Sequence, residues 1–194
     1  MEKASGNMFS IIIRTSLVLM VLCGVIYNLA VTGIAQVIMP DKADGSLVYN
    51  EAGGVIGSKM IGQSFSDPKL FHGRVSSIDY AADGSGTPNY APSNPDLLAR
   101  TKESIEAWKV NNPNVPVDQL PIDLITNSGS GLDPHISVEA ALAQIPRVSE
   151  SNGMSEEEVE TLVNKHTEGR LLGLFGEKTV NVLLLNKDLQ ALTS

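Results

Sequence analysis

The sequence holds one cysteine, Cys23, among 194 residues, and it falls inside an apolar run. No intramolecular disulfide can therefore form, and no thiolate metal site can be assembled. Its three histidines, His72, His135 and His166, show no H-E-x-x-H spacing. The chain also has no G-x-x-x-x-G-K-[ST], no G-x-G-x-x-G after a strand and no nucleophile elbow. Basic charge is scarce, with 14 Lys and Arg against 22 Asp and Glu and a formal net charge of −8. An acidic chain of this kind is a poor partner for the phosphate backbone of nucleic acid. Only one stretch is long and apolar enough to cross a membrane.

That stretch runs from Phe9 to Met39, and Thr15–Met39 alone is 25 residues. As a helix it spans about 37 Å, enough for a hydrocarbon core of about 30 Å with some tilt. A cleaved signal has an apolar region of only about 7 to 15 residues, and "GIA" at 33–35 matches a cleavage site weakly. Cys23 follows Leu22 rather than a small residue, so a lipoprotein signal does not fit. The reading is an uncleaved anchor over 15–39. Lys3 and Arg14 precede it, whereas residues 40–194 carry 12 Lys and Arg against 21 Asp and Glu. Positive residues stay inside, which puts residues 1–14 in the cytoplasm and 40–194 outside.

Gly24, Asn28, Thr32 and Gln36 recur every four residues along the anchor. Amides facing lipid are unfavourable, whereas a neighbouring helix can accept them, and glycine permits close approach. The expectation is a face packed on other membrane helices.

Residues 40–194 read as a single domain without repeats or low-complexity tracts. Asn94 with Pro95 caps a helix running toward Asn111. Ser137 opens "SVEAALAQIPRVSES", with Pro146 expected to bend or end its regular part. Ser155 and Glu158 form a capping box for "SEEEVETLVNKH". "SLVYN" at 46–50 is a strand candidate, and "RLLGLFGEKTVNVLLLN" reads as two strands around Gly176-Glu177-Lys178. The predicted class is α+β: one N-terminal transmembrane helix followed by a single mixed α/β extracytoplasmic domain.

The segment "SGSGLDPHIS" (128–137) resembles the lip of an active site. Asp133 and His135 are two apart, so on extended backbone their side chains point the same way. Such a pair fits a catalytic carboxylate and imidazole, half a metal site, or a turn. The turn is favoured, because an Asp beside glycines commonly caps backbone amides. His166 follows Val159, Leu162 and Val163 on the buried stripe of its helix, which makes it a hydrogen-bonded packing residue. Glu168 and Arg170 beyond it would form local pairs.

Taken in order, "GSKMIGQSF" (57–65), "FHGRVSS" (71–77), "APSNPDLL" (91–98) and "PIDLITNSGSGLDPHIS" (121–137) make a specific set. "QIPRV" (144–148), "KHTEGRLLGLFGE" (165–177) and "VNVLLLN" (180–186) continue it. Over nearly its whole length the chain resembles the KdpC family, one of the components of the Kdp potassium-transporting P-type ATPase. Lys59, Met60 and Val75 are small departures from the usual pattern.

The resemblance implies an accessory, non-enzymatic subunit of a four-part inner-membrane complex for potassium uptake. Its partners would be a channel-like potassium-translocating subunit, a P-type ATPase subunit and a small single-span subunit. The subunit would serve assembly and stability, with its domain on the periplasmic or extracytoplasmic side and His72 and Arg74 among its structural polar motifs. A second implication is a catalytic chaperone that raises ATP affinity by binding nucleotide itself. That role falls on a glutamine matching Gln144. The topology opposes direct contact, because Gln144 would lie on the side without ATP. ATP would then act only through the complex, and the chain would hold no cofactor of its own.

Overall fold

The computed structural model describes residues 3–193, with side chains from Met8 onward. Glu2, which enters the amino-terminal charge, and the side chain of Lys3 lie outside that description. The chain divides into two compact units, residues 1–47 and 48–194.

The first unit is one long helix followed by a short turn of helix. Helix α1 (Lys3–Val21) passes through a π-helical segment, Leu22–Ile26, into α2 (Tyr27–Ile38). Met8–Ile38 is apolar for 31 residues and long enough to cross a membrane, and none of it is buried within the chain. Apolar side chains on every face, unburied, suit a lipid surrounding rather than water. Met39 leaves helical geometry at φ −145° and ψ 63°, and Pro40 then begins α3 (Pro40–Ala43). The π segment has a local cause of stability. It frees carbonyls from the regular ladder, and the Asn28 side-chain amide donates to Gly24 O at 2.8 Å and Cys23 O at 3.3 Å.

The second unit begins within β1 (Leu47–Tyr49), which pairs with β2 (Val55–Ser58) in a two-stranded sheet. Its turn is closed by Asn50, whose Oδ1 accepts from Gly54 N at 2.7 Å. A long irregular stretch leads to α4 (Pro95–Asn111), capped as expected by Asn94, whose side chain accepts from Asp96 N. Three further strands form an antiparallel sheet in the order β3-β5-β4: His135–Ser137, Thr179–Asn181 and Thr167–Glu168. His135 stands opposite Asn181 and Ile136 opposite Val180, while Thr167 meets Val180 from the other side.

Helices α5 (Val138–Leu142), α6 (Ile145–Asn152), α7 (Glu156–Lys165) and α8 (Val182–Thr193) supply the rest of the domain. Ser137 caps α5 by accepting from Ala140 N, and Ser155 with Glu158 forms the capping box of α7. Pro146 sits in the first turn of α6, where its missing N–H removes no helical bond. The predicted helix over 137–151 is thus two helices with a break at Ala143–Gln144. Gly153 in the left-handed region, φ +67°, ends α6. Val148, Val159, Val163, Val180 and Leu185 are fully buried where these helices meet the sheet. Each such side chain contributes about 1.5–3 kcal/mol relative to exposure.

The class is α+β as expected, but both strands expected over 170–186 are corrected. Arg170–Phe175 is no strand but a tight turn closed by an isolated Leu171–Phe175 bridge. "VNVLLLN" is not a continuing strand: Thr179–Asn181 pairs in the sheet, and Val182 starts helix α8. Asn181 makes the switch, because its Oδ1 accepts from Leu184 N at 3.2 Å as a helix cap does.

Candidate functional site

Five of the polar residues singled out in the sequence, His72, Gln144, Arg74, Asp133 and His135, fall into two constellations of the domain. The first clamps an irregular strap, residues 68–72, onto α5, α6 and α8. A strap outside any sheet must satisfy its backbone groups elsewhere when buried. Asn186, Gln144 and Arg147 do so, and Asn152 Nδ2 adds a bond to Lys69 O at 2.8 Å. Asn186 Oδ1 accepts from Phe71 N at 2.8 Å, and its Nδ2 donates to Phe71 O at 2.9 Å. Gln144 repeats the motif one residue on: Oε1 accepts from His72 N at 2.8 Å, and Nε2 donates to His72 O at 3.1 Å. Arg147 donates to Pro68 O and, at 2.9 Å, to Leu70 O.

Gln144 is only 1% exposed and has no unused hydrogen-bonding capacity toward a ligand. Its Nε2 also donates to Ala140 O at 3.1 Å, and its Oε1 takes a second bond from Arg147 Nη2 at 2.7 Å. Both N–H groups and two bonds on the oxygen are thereby accounted for. Arg147 itself is buried, with Nε donating to Asn112 Oδ1 at 3.0 Å. Burial lowers its pKa to about 10, against the opposing pull of Asp67. His72 Nε2 donates to the backbone carbonyl Asp67 O, 3.0 Å away. Burial, and then the Arg147 cation, hold the His72 pKa below its ordinary value, although Asp67 pulls the other way.

The second constellation is the corner formed by Arg74, Asp133 and His135. Asp133 Oδ2 accepts from Arg74 Nη1 at 3.0 Å, and Oδ1 accepts from His135 N at 3.0 Å. The His135 ring nitrogen Nδ1 stands 3.5 Å from that same Oδ1. Burial pushes the Asp133 pKa up, but the bonds from His135 and Arg74 together bring it below the usual carboxylate value. The glycines around this corner have steric reasons. A Cβ on Gly62 would lie 2.6 Å from Asp133 O, and Gly131 adopts φ +72° against Ile78. Ser128 Oγ further pins the turn by accepting from Gly131 N at 2.8 Å. Tyr80 donates its hydroxyl to Arg74 O.

A groove of about 480 Å³ runs past Arg74, Ile122, Asp133, His135, Glu139 and Lys178. The hydroxyl of Ser137 is committed to Asp123 Oδ1 at 3.1 Å and to the cap of α5. The second ring nitrogen of His135 faces Asn181 Nδ2 at 3.5 Å, an amide rather than a nucleophile. Among the described residues, no group of three or more His, Cys, Asp or Glu could hold a metal ion. The geometry at Asp133 is that of a hydrogen-bonded turn tied to an arginine.

The other marked residues lie apart from both constellations. His166 ends α7, and its Nε2 lies 2.9 Å from Asp188 Oδ2 on α8, which also receives Lys165 at 2.8 Å. Glu168 and Arg170 are exposed, and among the described residues neither enters an ion pair; the expected local pairs are absent there. In the apolar helix, Asn28 bonds its own backbone, and Gln36 Nε2 reaches Asp44 Oδ1 at 3.0 Å. No space-filling neighbour surrounds Gly24, and Thr32 lies on α2. Asn186, Arg147 and Asn112 were not singled out by sequence reasoning as a buried polar set. Nothing in their spacing announces it, since Asn186 and Phe71 are 115 positions apart.

Comparison with known proteins gives one consistent result. The family model described as "KdpC: K+-transporting ATPase, c chain" matches residues 9–191. A potassium-transporting ATPase KdpC subunit of Bacillus cereus (strain Q1) is 58% identical over 186 residues, 96% of each chain. One from Bacillus thuringiensis subsp. konkukian (strain 97-27) is 58% identical over 184 residues, 95% of each chain. Another, from Bacillus cereus (strain ATCC 14579), is 57% identical over 192 residues, 99% of each chain.

Proposed function

Because the chain belongs to the KdpC family of K+-transporting ATPase components, we propose that it is the non-catalytic assembly subunit of that complex. The observation that carries this reading is Gln144, whose amide is buried and engaged with His72, Ala140 and Arg147. A residue so engaged holds a strap in place, and it has nothing left to offer an adenine or a phosphate. The Asp133 corner supports the same view, because its carboxylate is bound to Arg74 and to a backbone N–H. The alternative, nucleotide binding by this chain, would require Gln144 to leave four hydrogen bonds at once.

In this reading residues 1–14 lie in the cytoplasm, 15–39 cross the inner membrane, and 40–194 form a domain on the outer side. Lys3 and Arg14 on the amino-terminal side of the span support that orientation. The partners are the channel-like potassium-translocating subunit, the P-type ATPase subunit and the small single-span subunit. The face bearing Gly24, Asn28, Thr32 and Gln36 packs against a partner helix. Asn28 still offers its Oδ1 there, since its bonds to Gly24 and Cys23 use only the amide N–H groups.

The test is omission. Without this chain, the channel-like and pump subunits should be recovered separately from detergent-solubilised membranes; with it, together. A complex that assembles and transports potassium equally well without it would refute the reading.

A further inference from the structure

Four large apolar side chains stand together in solvent on one tight turn of the domain. Leu171, Leu172, Leu174 and Phe175 are 70%, 82%, 76% and 63% exposed. Met60, Leu98 and Val110 are also exposed, but each without a large exposed apolar neighbour in sequence, which is ordinary. A contiguous cluster is not ordinary.

The turn is built rather than slack. Leu171 and Phe175 exchange backbone bonds, N to O at 2.9 Å and 3.0 Å, and Leu174 N donates to Leu171 O at 3.1 Å. Gly173 N donates to Arg170 O at 3.0 Å. Leu172 adopts φ +54°, a left-handed conformation that side chains with a Cβ avoid, between ordinary backbone and Gly173 at φ +75°. The fold thus displays a leucine in an unfavourable conformation at the most exposed point of the turn. The paired backbone groups of the turn need no water.

The base of the turn carries Arg170 and Lys178 against Glu168 and Glu177, all exposed, so the charges cancel. A neutral base gives no attraction toward an anionic lipid surface. An apolar centre with a mixed-charge rim is instead the anatomy of a protein–protein contact. The family is one of subunits, so a protein neighbour belongs to this domain's working state.

We propose that the turn 171–175 is the apolar plug by which this domain docks into an apolar cleft on a partner subunit of the same ATPase, with Arg170, Glu177 and Lys178 as its polar rim. The inference rests on the reading of the chain as an assembly subunit.

The test uses the full chain, tagged, within the membrane complex. Leu172→Ser, Leu174→Ser and Phe175→Ser together should leave the chain inserted and its urea midpoint unchanged, because all three side chains are already in solvent. Recovery of the partner subunits should fall about tenfold or more, as loss of a central apolar cluster does. Unchanged recovery overturns the proposal. A photo-crosslinking side chain at position 174 should join a partner subunit. Adducts to lipid alone, or to a second copy of this chain, overturn it as well. If the unaltered chain itself recovers no other subunit, the assembly reading fails. If the unaltered chain and the triple variant recover them equally, the turn alone is refuted.

Discussion

Replacing Gln144 with alanine tests the clamp at its most connected point. The substitution leaves His72 N–H and one Arg147 N–H without acceptors in a site that is 1% exposed. A buried donor left unsatisfied costs about 1–3 kcal/mol, more when charged. Two such losses, the second at a guanidinium, add up to about 3–5 kcal/mol. That is a large share of the roughly 5–15 kcal/mol that stabilises a typical domain. Gln144→Leu should behave similarly, because it restores volume but no acceptor. The assay is urea unfolding of the full chain in detergent, followed by the fluorescence of Trp108, the chain's one tryptophan. Trp108 is 7% exposed on α4, and Arg147 bonds Asn112 at the end of that same helix. Its emission should therefore report loosening of the strap. ATP bound by the native chain would add about 2.7 kcal/mol at a hundredfold excess over its dissociation constant. No such shift is expected in the unaltered chain. A Gln144→Ala chain with an unchanged midpoint would refute the clamp, and an ATP-dependent shift abolished by that substitution would establish the rival role.

Three further outcomes follow from the geometry. His72 has its pKa depressed by burial and by Arg147, so the folded state resists its protonation. Its contribution is intact above about pH 6.5 and is lost as pH falls from there through the lower folded value; His72→Gln should flatten the decline in unfolding midpoint between about pH 7 and 5. Gly62→Ala places a Cβ 2.6 Å from the Asp133 carbonyl, so the 128–135 turn must shift; faster amide exchange at Gly131 and His135 is expected, and unaltered protection would contradict the close packing. Asn28→Leu with Gln36→Leu should leave the chain inserted but reduce co-purification with its partners. Interhelical bonds average about 0.6 kcal/mol, so either change alone should be silent, and full recovery of the double variant would count against that face.

Much of the domain's outline is legible in the sequence because caps are local. Asn94-Pro95, Ser137 and Ser155 with Glu158 each announce a helix start within a few residues, and each bonds as expected. The run at 180–186 misleads because continuous valine and leucine fit a buried strand or a buried helix equally. The spacing of Val182, Leu185, Asn186 and Leu189, all buried, is helical and extends beyond the apolar run that suggests a strand. The Asp133 corner is partly visible, since a side chain two residues before an amide can cap it. Its tie to Arg74 bridges 59 positions and is not. The clamp on residues 68–72 is hidden for the same reason: Arg147 looks like a surface residue until the fold wraps the strap around it. The π segment at Leu22–Ile26 has no sequence period of its own, and only Asn28 hints at it.

In the function proposed above, this chain organises the ATPase and takes no part in its chemistry. The most direct measurement is ATPase turnover per assembled complex carrying Asp133→Ala, with the amount of complex quantified separately. Asp133→Ala removes the bonds to Arg74 and His135 N, each worth about 1 kcal/mol or somewhat more, and so should reduce how much complex assembles. Turnover per assembled complex should stay near that of the unaltered protein. A fall of about a hundredfold or more at full assembly, the size expected for a lost acid–base group, would contradict the account.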